Sequence, residues 1–213
     1  MVKEKIPDGW KWSTLGKECT INPTRPKGLQ ANDHQETSFV PMEAVDGDLG
    51  IIAGIKIVSF EKVKKGYTYF EENDVLFAKI TPCMQNKKSA IARNLINNFG
   101  FGSTEFYILR CKERVIPEWI YYFVRNKQFV DEAETHFTGT VGQQRVPKSF
   151  LEEYPLLVPP ISVQKEIVSK LEKQMTEIEG IKEEFWNQLN AINQFSASIL
   201  NEIFGKYEVP DEV

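Results

Sequence analysis

Apolar residues in the first 115 positions come in short runs, parted by glycine, proline and asparagine. The runs predict strands over 38–45 (SFVPMEAV), 50–59, 67–70, 74–80 (DVLFAKI) and 105–111 (EFYILRC). Asp46-Gly47 and Lys65-Gly66 mark turns. Residues 81–88 and 93–102 read as loops. The FGFG at 99–102 reads as a turn rather than a glycine-rich cofactor loop, because no β-α unit surrounds it. Over 117–130 the period becomes helical: Trp119, Ile120, Phe123 and Val124 fall on one face, and Pro117 suits the first helical position. Residues 135–149 lose all periodicity and read as a loop. Residues 151–160 (LEEYPLLVPP) read as extended and end at a Pro-Pro stop. A tail over 205–213 closes the chain.

Between that stop and the tail lies one helical pattern, residues 161–204, with no internal proline and a reach of ~66 Å at the helical rise. Gly180 is its only glycine, so a bend is possible there. Taking Leu171 as position a of a heptad, Ile178, Phe185, Ile192 and Ile199 follow at a. Ile167, Gln174, Ile181, Gln188 and Phe195 stand at d, alternating apolar and polar. Val168, Met175, Leu189 and Ile203 widen the stripe. A stripe this long outreaches a body of about 150 residues, so a partner helix is expected, from a second copy or another subunit. The alternative is a helix that breaks at Gly180 and folds back on its own domain.

Charge is divided unevenly along the chain. Residues 1–150 carry 21 Lys and Arg against 18 Asp and Glu, whereas residues 151–213 carry 5 against 12. The net charge of −4 therefore conceals a mildly basic body and an acidic helix. A hydrophobic fraction of 41% with 26% charged residues excludes wholesale disorder. No run of about 18 apolar residues occurs, so no transmembrane helix is expected, and MVKEKIPDGW lacks the apolar core of a signal peptide. Cys19, Cys83 and Cys111 are odd in number and widely spaced, which predicts neither a disulfide framework nor a zinc site. A reducing cytoplasm is the expected setting. His34 and His136 have no ligand-type neighbours in sequence. No nucleophile elbow or P-loop occurs, and Asn22-Pro23 does not continue into the Asn-Pro-Pro-aromatic tetrapeptide of amino-methyltransferases. A self-contained enzyme is not expected.

Three polar loops of the basic body do carry recognisable chemistry. Lys79 leads into the first, residues 80–93 (ITPCMQNKKSAIAR), which offers Thr81, Gln85, Asn86, Lys87, Lys88 and Arg93. Glutamine and asparagine can pair bidentately with adenine edges, and lysine and arginine reach phosphates or guanine. The second, residues 135–146 (THFTGTVGQQRV), supplies Thr138, Thr140, Gln143, Gln144 and Arg145, with Gly139 and Gly142 permitting close backbone approach. The third is KVKKG at 62–66, where Lys62, Lys64 and Lys65 suit phosphate. Each has a plain structural alternative. Thr81, Pro82 and Cys83 would only shape a tight loop, Gln144 and Arg145 would hold their loop in place, and Trp10 and Trp12 would be core.

The order of these segments resembles one half of the specificity subunit of type I restriction–modification systems. IPDGWKWSTLG at 6–16 is similar to that family's opening. NDVLFAKITPCMQNKKSAI at 73–91 is similar to its Gly-Asp-x-Leu strand and Thr-Pro-Cys loop, with Asn73 in place of the glycine. GSTEFYILR at 102–110 resembles a recurrent strand. TGTVGQQRVPKSFLEEYPLLVPPISVQKEIVSKLE at 138–172 resembles the most specific block, with Ser162-Val163 where an acidic residue often precedes Gln164.

The resemblance implies an α+β fold: a mixed α/β target-recognition domain with a curved sheet over 1–150, a linker over 151–160, and a long helix over 161–204 in an antiparallel coiled coil with a partner helix. It implies double-stranded DNA as ligand and modification and restriction subunits as partners. S-adenosylmethionine, ATP and Mg would belong to those partners and none to this chain. Full-length members carry two such halves. A single half implies either a natural half-subunit that dimerises or a truncation of a longer subunit. The homodimer would have Ile167, Leu171, Ile178, Ile181, Phe185, Ile192, Phe195 and Ile199 in its seam and favour a bipartite inverted-repeat site. Two other readings stay open: a structural assembly module working through its helix, and the recognition fragment of a fused methyltransferase or nuclease.

Overall fold

The computed structural model describes residues 5–29, 32–140 and 142–205. The chain divides into two compact units, Met1–Lys165 and Glu166–Val213.

The first unit is built around a four-stranded antiparallel sheet. Its strands are β2 (Cys19–Ile21), β6 (Val75–Ala78), β7 (Ser89–Ile91) and β9 (Phe106–Cys111), in the order β2-β9-β6-β7. Its middle strands are apolar at every position of β6 because both faces are covered. Val75 and Phe77 join Tyr107 and Leu109 on one face, under helices α3 (Pro117–Arg125), α4 (Lys127–Thr135) and α5 (Lys148–Glu153). Leu76 and Ala78 join Phe106 and Ile108 on the other, against Val40 and Phe70 of a second sheet. Fully burying each such phenylalanine or leucine contributes about 1.5–3 kcal/mol.

The second sheet comprises β3 (Glu36–Val40), β4 (Lys56–Ser59), β5 (Thr68–Glu71) and β8 (Phe99–Gly102), in the order β4-β3-β8-β5. Its outer face carries Phe60 and Val63 of the short helix α2 (Phe60–Val63) on Tyr69, Phe99 and Phe101. A ribbon of β1 (Lys11–Thr14) with β10 (Pro155–Val158) stands apart, and helix α1 (Leu15–Glu18) follows β1.

Several sequence expectations need correction. FGFG is a strand, not a turn. Its phenylalanines point to the outer cluster, while a Cβ on Gly100 would stand 2.8 Å from the Phe70 ring and one on Gly102 2.7 Å from the Val40 carbonyl. The glycines thus admit Phe70 to the space between the sheets. The stretch 38–45 leaves the sheet at Pro41, which has no N–H for the ladder, and turns through Met42–Ala44. Of 50–59, only 56–59 pair as a strand. The helix expected over 117–130 is two helices: Asn126 is extended (φ −69°, ψ 147°) and its side chain accepts from Phe129 N–H at 2.9 Å, capping α4. The loop expected over 135–149 ends in α5, which runs on to Glu153 after Pro147. Trp12 is 61% exposed rather than core, and Trp10 meets Trp119 edge-on at 6.1 Å.

Helix α6 spans Ile161–Phe204 without interruption at Gly180. Its first turn belongs to the first unit. There Gln164 is wholly buried: its carbonyl oxygen accepts from Ile116 N–H at 3.0 Å, and its amide donates to the Arg114 and Pro159 carbonyls, both at 2.8 Å. In the second unit the predicted stripe is exposed from Met175 onward, Phe185 and Phe195 being two-thirds exposed, whereas Ile167 and Leu171 are half-buried and Val168 is buried. Residues of the expected tail beyond Gly205 lie outside the described residues.

Candidate nucleic-acid interface

The first two polar loops are one construction. Beyond the end of β6, Lys79–Thr81 runs between Glu105 and the segment 144–146. Lys79 N–H donates to the Glu105 carbonyl at 2.9 Å, and Val146 N–H donates to the Lys79 carbonyl at 2.9 Å. Thr81 N–H donates to the Gln144 carbonyl at 2.9 Å, and Gln144 N–H returns a bond to Thr81 Oγ1 at 3.2 Å. Thr138 and Arg145 exchange backbone bonds at 3.0 and 2.8 Å, closing the second loop on itself. Gly139 and Gly142 both take positive φ there.

Arg145 fixes this loop through its side chain. Nε and Nη2 donate to the two carboxylate oxygens of Glu105 at 2.8 and 2.7 Å, and Nη1 donates to the Gln143 carbonyl at 3.0 Å. The hydrogen bonds from Arg145 hold the Glu105 carboxyl below its ordinary value, and the same bonds raise the guanidinium's. Burial lowers the Lys79 ammonium, which Glu105 partly opposes. It sits 5.0 Å from the centroid of the Tyr107 ring, whose hydroxyl donates to the Val146 carbonyl at 3.0 Å.

Around this frame the candidate side chains divide. Gln85, Asn86, Lys87, Thr140 and Gln143 are exposed, and among the described residues their side chains make no hydrogen bond. Thr138 is exposed, its hydroxyl within 3.4 Å of the Arg145 carbonyl. Gln144 and Arg145 are half-buried. Lys88 donates to the Met42 carbonyl at 3.2 Å, and Arg93 is paired with Glu118. Lys62, Lys64 and Lys65 are not brought to this place. They sit in and just after α2, on the outer face of the second sheet, where Lys64 pairs with Asp33 at 2.7 Å while Lys62 and Lys65 are exposed.

Two contributors escaped the sequence reading. Arg125, the last residue of α3, donates to the Lys87 carbonyl at 2.6 Å and to the Gly47 and Asp48 carbonyls at 2.8 and 3.1 Å, tying three segments together. Glu105 gave no signal, because its role depends on a partner 40 residues away.

Residues 7–191 match the family model for the type I restriction modification DNA specificity domain. The chain belongs to that family. It is 34% identical over 197 residues to the type I restriction enzyme EcoEI specificity subunit of Escherichia coli, covering 92% of this chain and 33% of that protein. To the EcoAI specificity subunit of the same organism it is 32% identical over 208 residues, covering 97% and 35%. The chain thus spans about a third of the length of these curated relatives. Its fold is that of the HsdS subunit crystal structure from Thermoanaerobacter tengcongensis, at TM-score 0.70 and 21% identity over 99% of this chain and 54% of that one. A structure described as the basis of complex assembly and conformational transition of the type I R-M system aligns at TM-score 0.78 and 23% identity, over 98% and 53%. In this specificity-domain chain, the Thr-Pro-Cys loop and the segment 144–146 are neighbours in space. No helix among the described residues is long and apolar enough to cross a membrane.

Proposed function

We propose that this chain is a DNA sequence-recognition component of a type I restriction–modification complex, itself non-catalytic. The observation that carries the reading is the joined pair of loops. Gln85, Asn86, Lys87 and Gln143 stand exposed and without hydrogen bonds among the described residues, on a frame whose own polar groups are bonded. Side chains already free of protein partners can bond base edges and phosphates without first breaking an internal contact. Lys62 and Lys65 would add phosphate contacts from a separate surface.

In this reading the recognition domain occupies about residues 1–150, and α6 is the assembly element. The stripe of Ile167, Leu171, Ile178, Ile181, Phe185, Ile192, Phe195 and Ile199, half-buried at its first two positions and exposed from Ile178 onward, suits a second copy of this helix, packed antiparallel. Such a dimer would present two identical readers to an inverted-repeat, bipartite site. Modification and restriction subunits would be the further partners, bringing S-adenosylmethionine, ATP and Mg with them.

The test is fluorescence anisotropy at fixed salt, on a site selected from a random duplex pool. Gln143→Ala is expected to relax base preference at one position by about 1–3 kcal/mol. Lys87→Ala is expected to weaken all sequences alike and reduce the salt slope by about one. Unchanged binding in both variants would refute the site. Light scattering on the chain alone should give about twice 24.5 kDa; a monomer at every concentration would refute the homodimer.

A further inference from the structure

Cys19 and Cys111 are 92 positions apart in sequence but directly opposite in the sheet. Cys19 lies on β2, the edge strand, and Cys111 ends its neighbour β9. Lys112 N–H donates to the Glu18 carbonyl at 2.8 Å, and Asn22 N–H donates to the Ile108 carbonyl at 2.8 Å. Pairs 18/112 and 22/108 are therefore hydrogen-bonded pairs, and alternation along an antiparallel ladder makes 19/111 a non-hydrogen-bonded pair. The Cα atoms of such a pair stand about 4.5 Å apart, with both side chains on one face. A disulfide accepts Cα separations of roughly 4.4–6.8 Å, so this pair can close with little backbone movement.

The two thiols differ in access. Cys19 is buried, at 1% exposure, whereas Cys111 is half-buried and lines two surface clefts of about 590 and 560 Å³. Lys17, Lys112 and Arg114 line the first of these together with Glu18 and Glu113, Arg114 pairing with Glu18 at 3.0 Å, so one cationic charge is left in excess beside the thiol. The Cys111 thiol beside it, together with burial, pushes the Cys19 thiol far above the ordinary range. Cys111 is thus the thiol that reacts first. Cys83, the third cysteine, lies in the β6–β7 connection and packs against the cluster between the sheets.

We propose that Cys19 and Cys111 are a redox-active dithiol, a modification site that a small-molecule disulfide oxidises to an intramolecular disulfide. The Cys111 thiolate attacks one sulfur of glutathione disulfide, forming a mixed disulfide and releasing one glutathione thiolate. Cys19 loses its proton to solvent and attacks Cys111 Sγ, forming the Cys19–Cys111 bond and expelling the second glutathione. The two protein thiols give up two protons and two electrons, and one disulfide becomes two thiols. The bond would staple the edge strand to the sheet and close a long loop, so the oxidised chain should melt higher by roughly 5–10 °C.

The full chain, reduced and folded, is incubated with glutathione disulfide, alkylated with iodoacetamide and digested for mass spectrometry. A Cys19–Cys111 cross-linked peptide is expected from the unmodified chain and from Cys83→Ser, absent from Cys111→Ser, reversed by dithiothreitol, and accompanied by the higher melting temperature. The proposal is overturned by a glutathione adduct that persists on Cys111 with Cys19 still alkylatable, by cross-links through Cys83 or between chains, or by three cysteines that remain reduced.

Discussion

Replacing Gln164 by alanine removes three hydrogen bonds from a fully buried position. The Ile116 N–H and the Arg114 and Pro159 carbonyls lose their partner together. An unsatisfied buried group costs about 1–3 kcal/mol, and the space vacated by the amide admits water to some of these three, so the loss should total about 2–4 kcal/mol. With a urea slope of about 2 kcal/mol per molar for a chain of this size, the midpoint should fall by about 1–2 M. Urea denaturation followed by far-ultraviolet circular dichroism and tryptophan fluorescence measures it. Gln164→Glu is the informative companion. It keeps an acceptor for Ile116 N–H but turns a charged oxygen on two carbonyls, so it should be at least as damaging as alanine. A midpoint shift under 0.5 M for Gln164→Ala (a loss of about 1 kcal/mol at the same slope), or a stable Gln164→Glu, would mean that the first turn of α6 is not held as described.

Three other outcomes follow from the same geometry. Gly100→Ala places a Cβ 2.8 Å from the Phe70 ring and 3.0 Å from the Ser38 carbonyl, and should cost about 1–3 kcal/mol in thermal or urea unfolding; an unchanged midpoint would refute the close packing of β8. Glu105 has a depressed folded-state pKa, so its contribution is present above the ordinary value of 4.5 and is lost as pH falls through the lowered one. The difference in urea midpoint between the unmodified chain and Glu105→Gln should therefore be full at pH 6 and shrink steadily on acidification; a difference that stays constant would contradict the pairing with Arg145. Arg125→Ala should raise amide exchange selectively at 46–50 and 86–89.

The parts of this fold legible in sequence were those set by local periodicity. The 44-residue helix obeys its apolar spacing from end to end, and β6 and β9 announce themselves by continuous apolar runs bounded by turns. FGFG failed because glycine signals a turn only when nothing else explains it; here a ring 30 residues earlier requires it. The split of 117–130 failed because Asn126 acts as a cap only once α4 has turned away, a tertiary outcome that helical spacing does not encode. In the candidate interface, residue type pointed to both loops but not to their junction. Arg145 has base-reading chemistry, yet Glu105 occupies two of its donors. The block around Gln164 is recognisable as a motif in sequence, but its reason lies in the fold: three hydrogen bonds with backbone groups of Arg114, Ile116 and Pro159.

Arg125 places a structural arginine under a surface otherwise read as a ligand site. Its guanidinium joins the turn at 46–50 to the end of the 80–88 loop by donating to the Lys87, Ser89, Gly47 and Asp48 carbonyls, while its charge also lies 5.2 Å from the Tyr121 ring. Those of Lys87, Gly47 and Asp48 belong to loop backbone, where local opening is governed by few contacts. Truncation to alanine removes a shared donor and leaves α3 its own helical bonds. Amide exchange should therefore quicken at 46–50 and 86–89 and stay unchanged within 118–124. Specific DNA affinity should fall with it, because Asn86 and Lys87 would be ordered only on binding, at an entropic cost of about 1–2 kcal/mol per residue fixed. Arg125→Lys restores charge but not the planar fork, so it should recover the salt dependence and not the exchange protection. Equal exchange in all three proteins, or an affinity loss fully restored by lysine, would show that Arg125 contributes charge rather than position.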